Sequence, residues 1–343
     1  MNWKFWVGLA ISVLFLYIAF HNVDLAFLYQ SIRSTSIPLI IPVILLTVIF
    51  YVIRALRWFH LLEPIKKIRL SSLFSSTVIG FAANCVLPVR LGEFIRANYI
   101  GRMEKISRSS SLGTIVIERL FDSFTILLLF LFVILVIDFP SEWESISKAL
   151  RAGGFFLSLM FILSIGLLVA LKGKTQAFLN IAEKFLFFIP EKLRQRLITI
   201  LRDFSKGLVF VKSPSQLLTV ICYSFMLWGL TILQIYIIGL SMGLSLPFLA
   251  PFFILVLLCF SVTIPSAPGY IGTFHIACQY GLIFYGFSRS KALSMAIVLH
   301  AAGFIPTVVL GLLVFSLQQI SLRTLNTKKT ALNDEREIEN KPH

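Results

Sequence analysis

Residues 71–110 read SSLFSSTVIGFAANCVLPVRLGEFIRANYIGRMEKISRSS, and the fold of the whole chain turns on whether this stretch crosses a membrane. Its first part, Ser71 to Leu87, is apolar but rich in serine and small residues, and it closes on Pro88. The second part carries Arg90, Glu93, Arg96, Arg102, Glu104, Lys105 and Arg108, more charge than a span tolerates. Around it lie runs close to the roughly 20 apolar residues that cross a bilayer as a helix. They are Trp3 to Phe20, Ile37 to Leu62, Leu112 to Ile137, Gly153 to Leu171, Leu217 to Ile238 and Leu293 to Leu317. Nothing resembling a small-x-small cleavage site follows the first run, so it is read as an uncleaved helix.

Lys and Arg are retained on the cytoplasmic side, which makes the reading testable by counting. With the N-terminus inside and Ser71 to Leu87 not crossing, 23 of the 31 basic residues lie inside and five outside, leaving Arg54, Arg57 and Arg119 in the membrane. If Ser71 to Leu87 did cross, segment 172–214, with nine basic and three acidic residues, would be forced outside. The first hairpin therefore enters from the cytoplasmic face, turns, and leaves by the same face near Ile100.

Composition agrees with this frame. The chain is 57% hydrophobic and 14% charged with a mean hydropathy of +0.89, against roughly 45–50% and 25% in soluble domains. That excludes most soluble-enzyme readings. The net charge of +15 would suggest nucleic acid in a soluble protein, but here the basic residues follow topology, so a nucleic-acid partner is excluded. The four cysteines, Cys85, Cys222, Cys259 and Cys278, form no CxxC pair and have no His at metal spacing, so they read as small apolar side chains. No metal or cofactor is expected.

A second broken segment comprises Ala250 to Ile264 and Thr273 to Phe287, interrupted by PSAPGYIG, and would enter from the opposite face. Its breaker cluster is Pro265, Pro268, Gly269 and Gly272. Pro88 precedes Gly92 by the same interval as Pro265 precedes Gly269. Matching breaks on opposed hairpins are what an inverted repeat predicts, and transporters place substrate where such broken helices meet. Irregular backbone at that depth requires surrounding protein or a cavity. The sequence thus predicts an all-α polytopic membrane protein with about six spanning helices and two oppositely oriented re-entrant hairpins in an inverted-repeat arrangement. Residues 1–318 form the membrane domain, with 172–214 as a cytoplasmic amphipathic segment suited to an anionic leaflet. Residues 319–343, of mixed charge, are expected to be an unstructured cytoplasmic tail.

Charged residues inside the apolar runs are the candidate site. Arg54 and Arg57 lie one turn apart on one helix face, and Glu118 and Asp122 share a face of another, with Arg119 between them. Arg54 and Glu118 are each about eight residues, or about 12 Å, from the cytoplasmic end of their spans, so they can pair. Two readings stand: a buried ion network that orders helices, or the wall of an anion-binding cavity. The first hairpin adds Asn84, Arg90, Glu93 and Arg96. Arg90 sits in the turn, where a guanidinium suits phosphate, while Glu93 and Arg96, at i and i+3, suggest a mutual salt bridge. At the second turn, freed backbone N–H groups at the start of the helix entered by Thr273 could hold an anion. His275 lies one turn into that helix and His300 in the last run; each is either a helix-to-helix hydrogen bonder or a proton relay.

In order, RALRW, then N-x-x-LP-x-R-x-GE-x-x-R, then ERLFD, then PSAPGYIGTF, spread from Tyr51 to Leu310, resemble the flippase-like transmembrane family of the lysylphosphatidylglycerol synthases and their stand-alone relatives. In bifunctional members a soluble aminoacyl-transferase domain follows, and the resemblance implies that the membrane unit moves a lipid between leaflets. Here only a short tail follows, so no synthase activity is expected. Family members often carry Glu where His275 stands and a basic residue near His300. The expected function is translocation of a phosphate-bearing lipid or lipid-linked intermediate in the inner membrane, with both termini cytoplasmic and a lipid-synthesising enzyme as a possible partner. The alternatives are an intramembrane transferase or hydrolase acting on a lipid-linked phosphate, and a secondary transporter of a small anion.

Overall fold

The computed structural model describes residues 13–21, 23–87, 90–173, 175–187, 189–208, 213–264 and 266–339. Most of the first apolar run, with Pro88 and Pro265 of the two turns, therefore lies outside the described residues. Among those described the chain is all-α. In order come α1 (Val13–Phe20), α2 (Leu25–Arg33), α3 (Ile37–Leu62), α4 (Leu70–Val86), α5 (Gly92–Met103), α6 (Arg108–Val136) and α7 (Glu144–Gly173). They are followed by α8 (Thr175–Phe185), α9 (Glu191–Gly207), α10 (Pro214–Ser241), α11 (Ala250–Ser261), α12 (Thr273–Phe284) and α13 (Arg289–Glu339). In hydrocarbon every backbone N–H and C=O must be satisfied within the segment, which is why long apolar runs resolve into helix. Five helices are long and apolar enough to span: α3, α6, Ser147–Leu168 of α7, α10, and Arg289–Gln318 of α13. A sixth is reached if α1 and α2, bent by 92°, count as one.

Local chemistry sets the helix ends. Asp24 accepts from the N–H groups of Ala26 and Phe27 at 2.9 and 3.0 Å and starts α2 in the connection between the first two apolar runs. Ser213 Oγ accepts from the Gln216 N–H at 3.2 Å, and Pro214 opens α10, where its missing donor is harmless. Helix α13 continues to Glu339, where an unstructured tail is expected. Residues 319–339 contain no Gly or Pro and many Leu, Lys, Arg and Glu, so intrinsic propensity favours helix there without an apolar face to bury.

The apolar arms of both broken segments are short, and each pair packs against itself and the long helices. Arms α4 and α5 meet at two glycines: a Cβ on Gly92 would lie 1.9 Å from the Gly80 carbonyl oxygen, and one on Gly80 2.8 Å from Arg96 Cβ. Neither position admits a side chain. The Asn84 side-chain oxygen accepts from the Gly92 N–H at 2.7 Å, so Asn84 closes the turn. Three of the four serines of α4 face inward, with Ser72, Ser75 and Ser76 buried. In lipid, where apolar helices gain nothing by leaving water, such small residues let backbones approach.

Two buried clusters place the hairpins. Leu73 and Ile100, at the open end of α4 and α5, pack with Leu61 and Leu62 at the C-terminal end of α3. Ala250 and Leu282, at the open end of α11 and α12, pack in a cluster with Val43 near the N-terminal end of α3. The two bases thus sit at opposite ends of one spanning helix, and the tips meet between them.

Candidate functional site

Helices α3, α5 and α6 bring seven charged side chains together. Arg54 Nη1 donates to Glu118 Oε1 at 3.0 Å and lies 3.4 Å from Asp122 Oδ2. Arg57 reaches Asp122 Oδ1 at 2.7 Å and Glu118 Oε1 at 3.3 Å, and also donates to Ser224 Oγ of α10 at 2.8 Å. Arg96 contacts both Glu118 oxygens, at 3.1 and 2.8 Å. Arg119 contacts Glu118 at 2.9 Å, Asp122 at 3.3 Å and Glu93 at 3.6 Å. Four guanidiniums converge on the Glu118 carboxylate, which is fully buried. Since four arginines meet three carboxylates, the cluster carries one uncompensated positive charge.

Aromatic faces hold the guanidinium planes. The Arg96 Cζ lies 3.7 Å from the Trp58 ring centroid, and the Trp58 indole N–H donates to Thr114 Oγ1 at 3.0 Å. Phe81 of α4 lies under both Arg54 and Arg119, at 4.5 and 5.7 Å. Buried and desolvated cation–π contacts of this kind contribute about 2 kcal/mol.

The pairing expected from equal depth, Arg54 with Glu118, is present. Within the hairpin the expectation changes: Glu93 and Arg96 do not bond to each other, and instead Arg96 turns to Glu118 and Glu93 to Arg119. The reason is the packing of α5 on α6, which offers Arg96 the buried Glu118 and Glu93 the partly exposed Arg119. Ser224, Trp58 and Phe81 were not among the sequence candidates. Their only local signal is a polar or aromatic residue within an apolar helix, which does not specify a partner.

At the tips, Arg90 and Tyr270 both adopt positive φ, 52° and 58°, a conformation uncommon for side-chain-bearing residues. They touch, with Arg90 Nε donating to Tyr270 Oη at 3.3 Å. The second turn passes through Gly269 and Gly272 at φ 75° and 93°, where the left-handed backbone favours glycine; Pro268 opens the short 3-10 turn Pro268–Tyr270. Of the backbone N–H groups at this turn, that of Gly272 is engaged, donating to His275 Nδ1 at 3.4 Å. His300 Nε2 donates to the Gly269 carbonyl at 2.7 Å, and the two imidazoles lie 4.9 Å apart. Both histidines therefore brace the second turn.

Where the tips join there is a cavity of about 290 Å³, lined by Cys85, Val262, Tyr270, Phe274, His300 and Phe304 among others. It is apolar, and no arginine of the ion cluster is among its lining residues; of the two readings of the arginines, the buried ion network is the arrangement present. Cys85 and Phe81 are one helical turn apart on α4, so the cavity and the cluster flank the same helix. Among the described residues no group of His, Cys, Asp and Glu is arranged to hold a metal.

The chain is similar to known membrane proteins. A UPF0104 membrane protein of Methanocaldococcus jannaschii is 27% identical over 233 residues, covering 68% of this chain and 92% of that protein. A UPF0104 membrane protein of Methanothermobacter thermautotrophicus is 25% identical over 253 residues, covering 71% and 74%. One of Pyrococcus horikoshii is 24% identical over 300 residues, covering 83% and 89%. No solved structure matches. The family described as the lysylphosphatidylglycerol synthase TM region matches residues 5–311, nearly the whole chain, and the protein belongs to that family.

Proposed function

We propose that the protein translocates a phosphate-bearing lipid, or a lipid-linked intermediate, between the leaflets of the cell membrane. The observation that carries this reading is the meeting of two broken segments, based at opposite ends of α3, around an apolar cavity that shares α4 with a cationic cluster. Broken helices at mid-depth are where transporters hold substrate, and an apolar cavity suits acyl or isoprenyl chains better than a soluble anion. In this reading the two hairpins re-enter the bilayer from opposite faces and both termini are cytoplasmic. Lys and Arg asymmetry supports that orientation. A cysteine introduced at Ser109 is then labelled from the cytoplasmic side, and labelling from outside overturns the orientation.

The function is tested in phosphatidylcholine vesicles doped with fluorescent phosphatidylglycerol or phosphatidylethanolamine, with an impermeant quencher added outside. Vesicles containing the protein lose the inner-leaflet signal as well as the outer one, and Arg90→Ala vesicles retain it while the variant still inserts. Protein-containing vesicles that quench like empty ones for both probes overturn the reading. A lipid that is chemically altered in the same vesicles favours the transferase alternative.

A further inference from the structure

The seven charges of the cluster are not equivalent. Arg54, Arg57 and Arg96 have side chains 4%, 0% and 1% exposed, and each reaches a buried carboxylate within 3.1 Å. Arg119 is different, with a side chain 30% exposed. Its two terminal nitrogens are fixed on Glu118 and Asp122 at 2.9 and 3.3 Å. Its Nε, unpartnered like those of Arg54, Arg57 and Arg96, points to Glu93, and at 3.6 Å that link is the longest in the cluster and exceeds hydrogen-bond length. Glu93, with a side chain 26% exposed, is also the only carboxylate of the cluster not carried by α6. It comes from the first turn of α5, next to the tip that bears Arg90. Without Glu93, four guanidiniums face two carboxylates, so Glu93 supplies a negative charge at the one edge of the cluster that solvent or lipid can reach.

We propose that Arg119 is the receptor for the phosphate of the translocated molecule, and that Glu93 is an internal stand-in that the phosphate displaces and that returns to release it. The inference rests on the translocation reading and assigns its anion site. The phosphate oxygen takes the place of the Glu93 oxygen at Nε at proper hydrogen-bond length, and charge-assisted contacts of that kind are the strong ones. Because Asp122 and Glu118 already hold the rest of the guanidinium, no side-chain ordering is needed on binding, which favours affinity. The balance of charge is retained, since one anion leaves as another arrives. The chemistry recognised is a phosphate group, which a lipid headgroup and free phosphate share.

Binding of dihexanoyl phosphatidylglycerol and, separately, of inorganic phosphate to the detergent-solubilised protein tests this by thermophoresis. Glu93→Gln removes the competitor at nearly constant shape and is expected to tighten binding by about fivefold, the range of a partly exposed ion pair. It also slows translocation, because the anion is no longer displaced. Arg119→Lys keeps a positive charge beside Asp122 and binds more weakly than wild type. A melting temperature within a few degrees of wild type confirms that each variant is folded. Tightening for the lipid alone assigns the site to a headgroup in its lipid, and tightening for both probes assigns it to phosphate as such; either supports the proposal. If folded Glu93→Gln binds neither probe more tightly than wild type, the proposal is overturned. Wild-type protein that translocates lipid without this affinity shift removes the Glu93–Arg119 assignment alone. An affinity shift in a protein that moves no lipid removes the translocation reading and leaves the anion site.

Discussion

Replacing Glu118 by Gln is the sharpest test of the cluster as a structural unit. The carboxylate is fully buried and lies within 3.3 Å of Arg54, Arg57, Arg96 and Arg119. Glutamine has nearly the same shape, so no cavity opens, and the loss is one negative charge. Four guanidiniums would then face Asp122 and Glu93 only, which raises the uncompensated charge from one to two. Removing one partner of a buried pair costs about 3–5 kcal/mol, and an uncompensated arginine at mid-helix in a membrane costs about 2.5–3.5 kcal/mol on insertion scales. Both routes give about 3 kcal/mol, a large fraction of a typical folding free energy of about 5–15 kcal/mol. Unfolding in mixed micelles reads the change directly. The double variant Glu118→Gln/Arg57→Met, which deletes the excess charge at a site with no exposure, should be more stable than the sum of the single changes by about 1–3 kcal/mol. If Glu118→Gln shifts stability by less than about 0.5 kcal/mol, or the double variant is additive, the convergence of four arginines does not hold the helices together and the reasoning fails.

Gly92→Ala, whose Cβ would lie 1.9 Å from the Gly80 carbonyl oxygen, should separate α4 from α5 and lower stability by about 1–3 kcal/mol; protease cutting between the arms reads it, and unchanged resistance removes the close approach. Gly303 lines the cavity and has open space where a Cβ would stand, so Gly303→Leu should reduce translocation while the melting temperature holds or rises, leucine being the better helix former. A matched loss of stability and transport would instead mean that the cavity is needed for folding. Helix α9 docks on the start of α6 through Ser107 Oγ to Asp203 Oδ2 at 3.0 Å and Ser110 Oγ to the Asp203 carbonyl at 2.8 Å. The Lys206 ammonium, with the Ser107 hydroxyl, holds the Asp203 carboxyl below its usual range. The contact therefore stabilises fully above the unfolded value of about 3.9 and is lost as pH falls through the lower folded value. Release of α9 on acidification, followed by a spin label at Thr199, should disappear in Asp203→Asn, and because the carboxyl is partly exposed the effect stays below about 1 kcal/mol.

Several features of this fold were legible one segment at a time. The spans α3, α6 and α10 begin and end close to the apolar runs that predict them, because satisfying the backbone in lipid depends on the segment alone. The breaks at Gly92 and at Gly269 to Gly272 were equally visible, since glycine and proline act locally. Depth along a helix even allowed Arg54 and Glu118 to be matched. Residues in the same hairpin were harder to read: the i,i+3 spacing of Glu93 and Arg96 pointed to a bond between them, and α6 supplied better partners for both. The same holds for His275 and His300, distant in sequence yet joined on one turn, and for Ser224, which reaches the cluster from α10.

What the sequence determined by itself was the membrane class, the approximate number of spanning segments, and the presence of charges that must find partners in a low-dielectric interior. These follow from composition and from periodicity within single helices. Tertiary structure alone decided which charges pair, that the hairpin bases lie at opposite ends of α3, and that their tips enclose an apolar cavity beside the arginines. The physical reason is that a buried ion requires an opposite charge within a few ångströms. Which residue provides it depends on how helices far apart in sequence pack, and the Gly80–Gly92 contact and the lean of α5 on α6 settle that for Arg96 and Glu93.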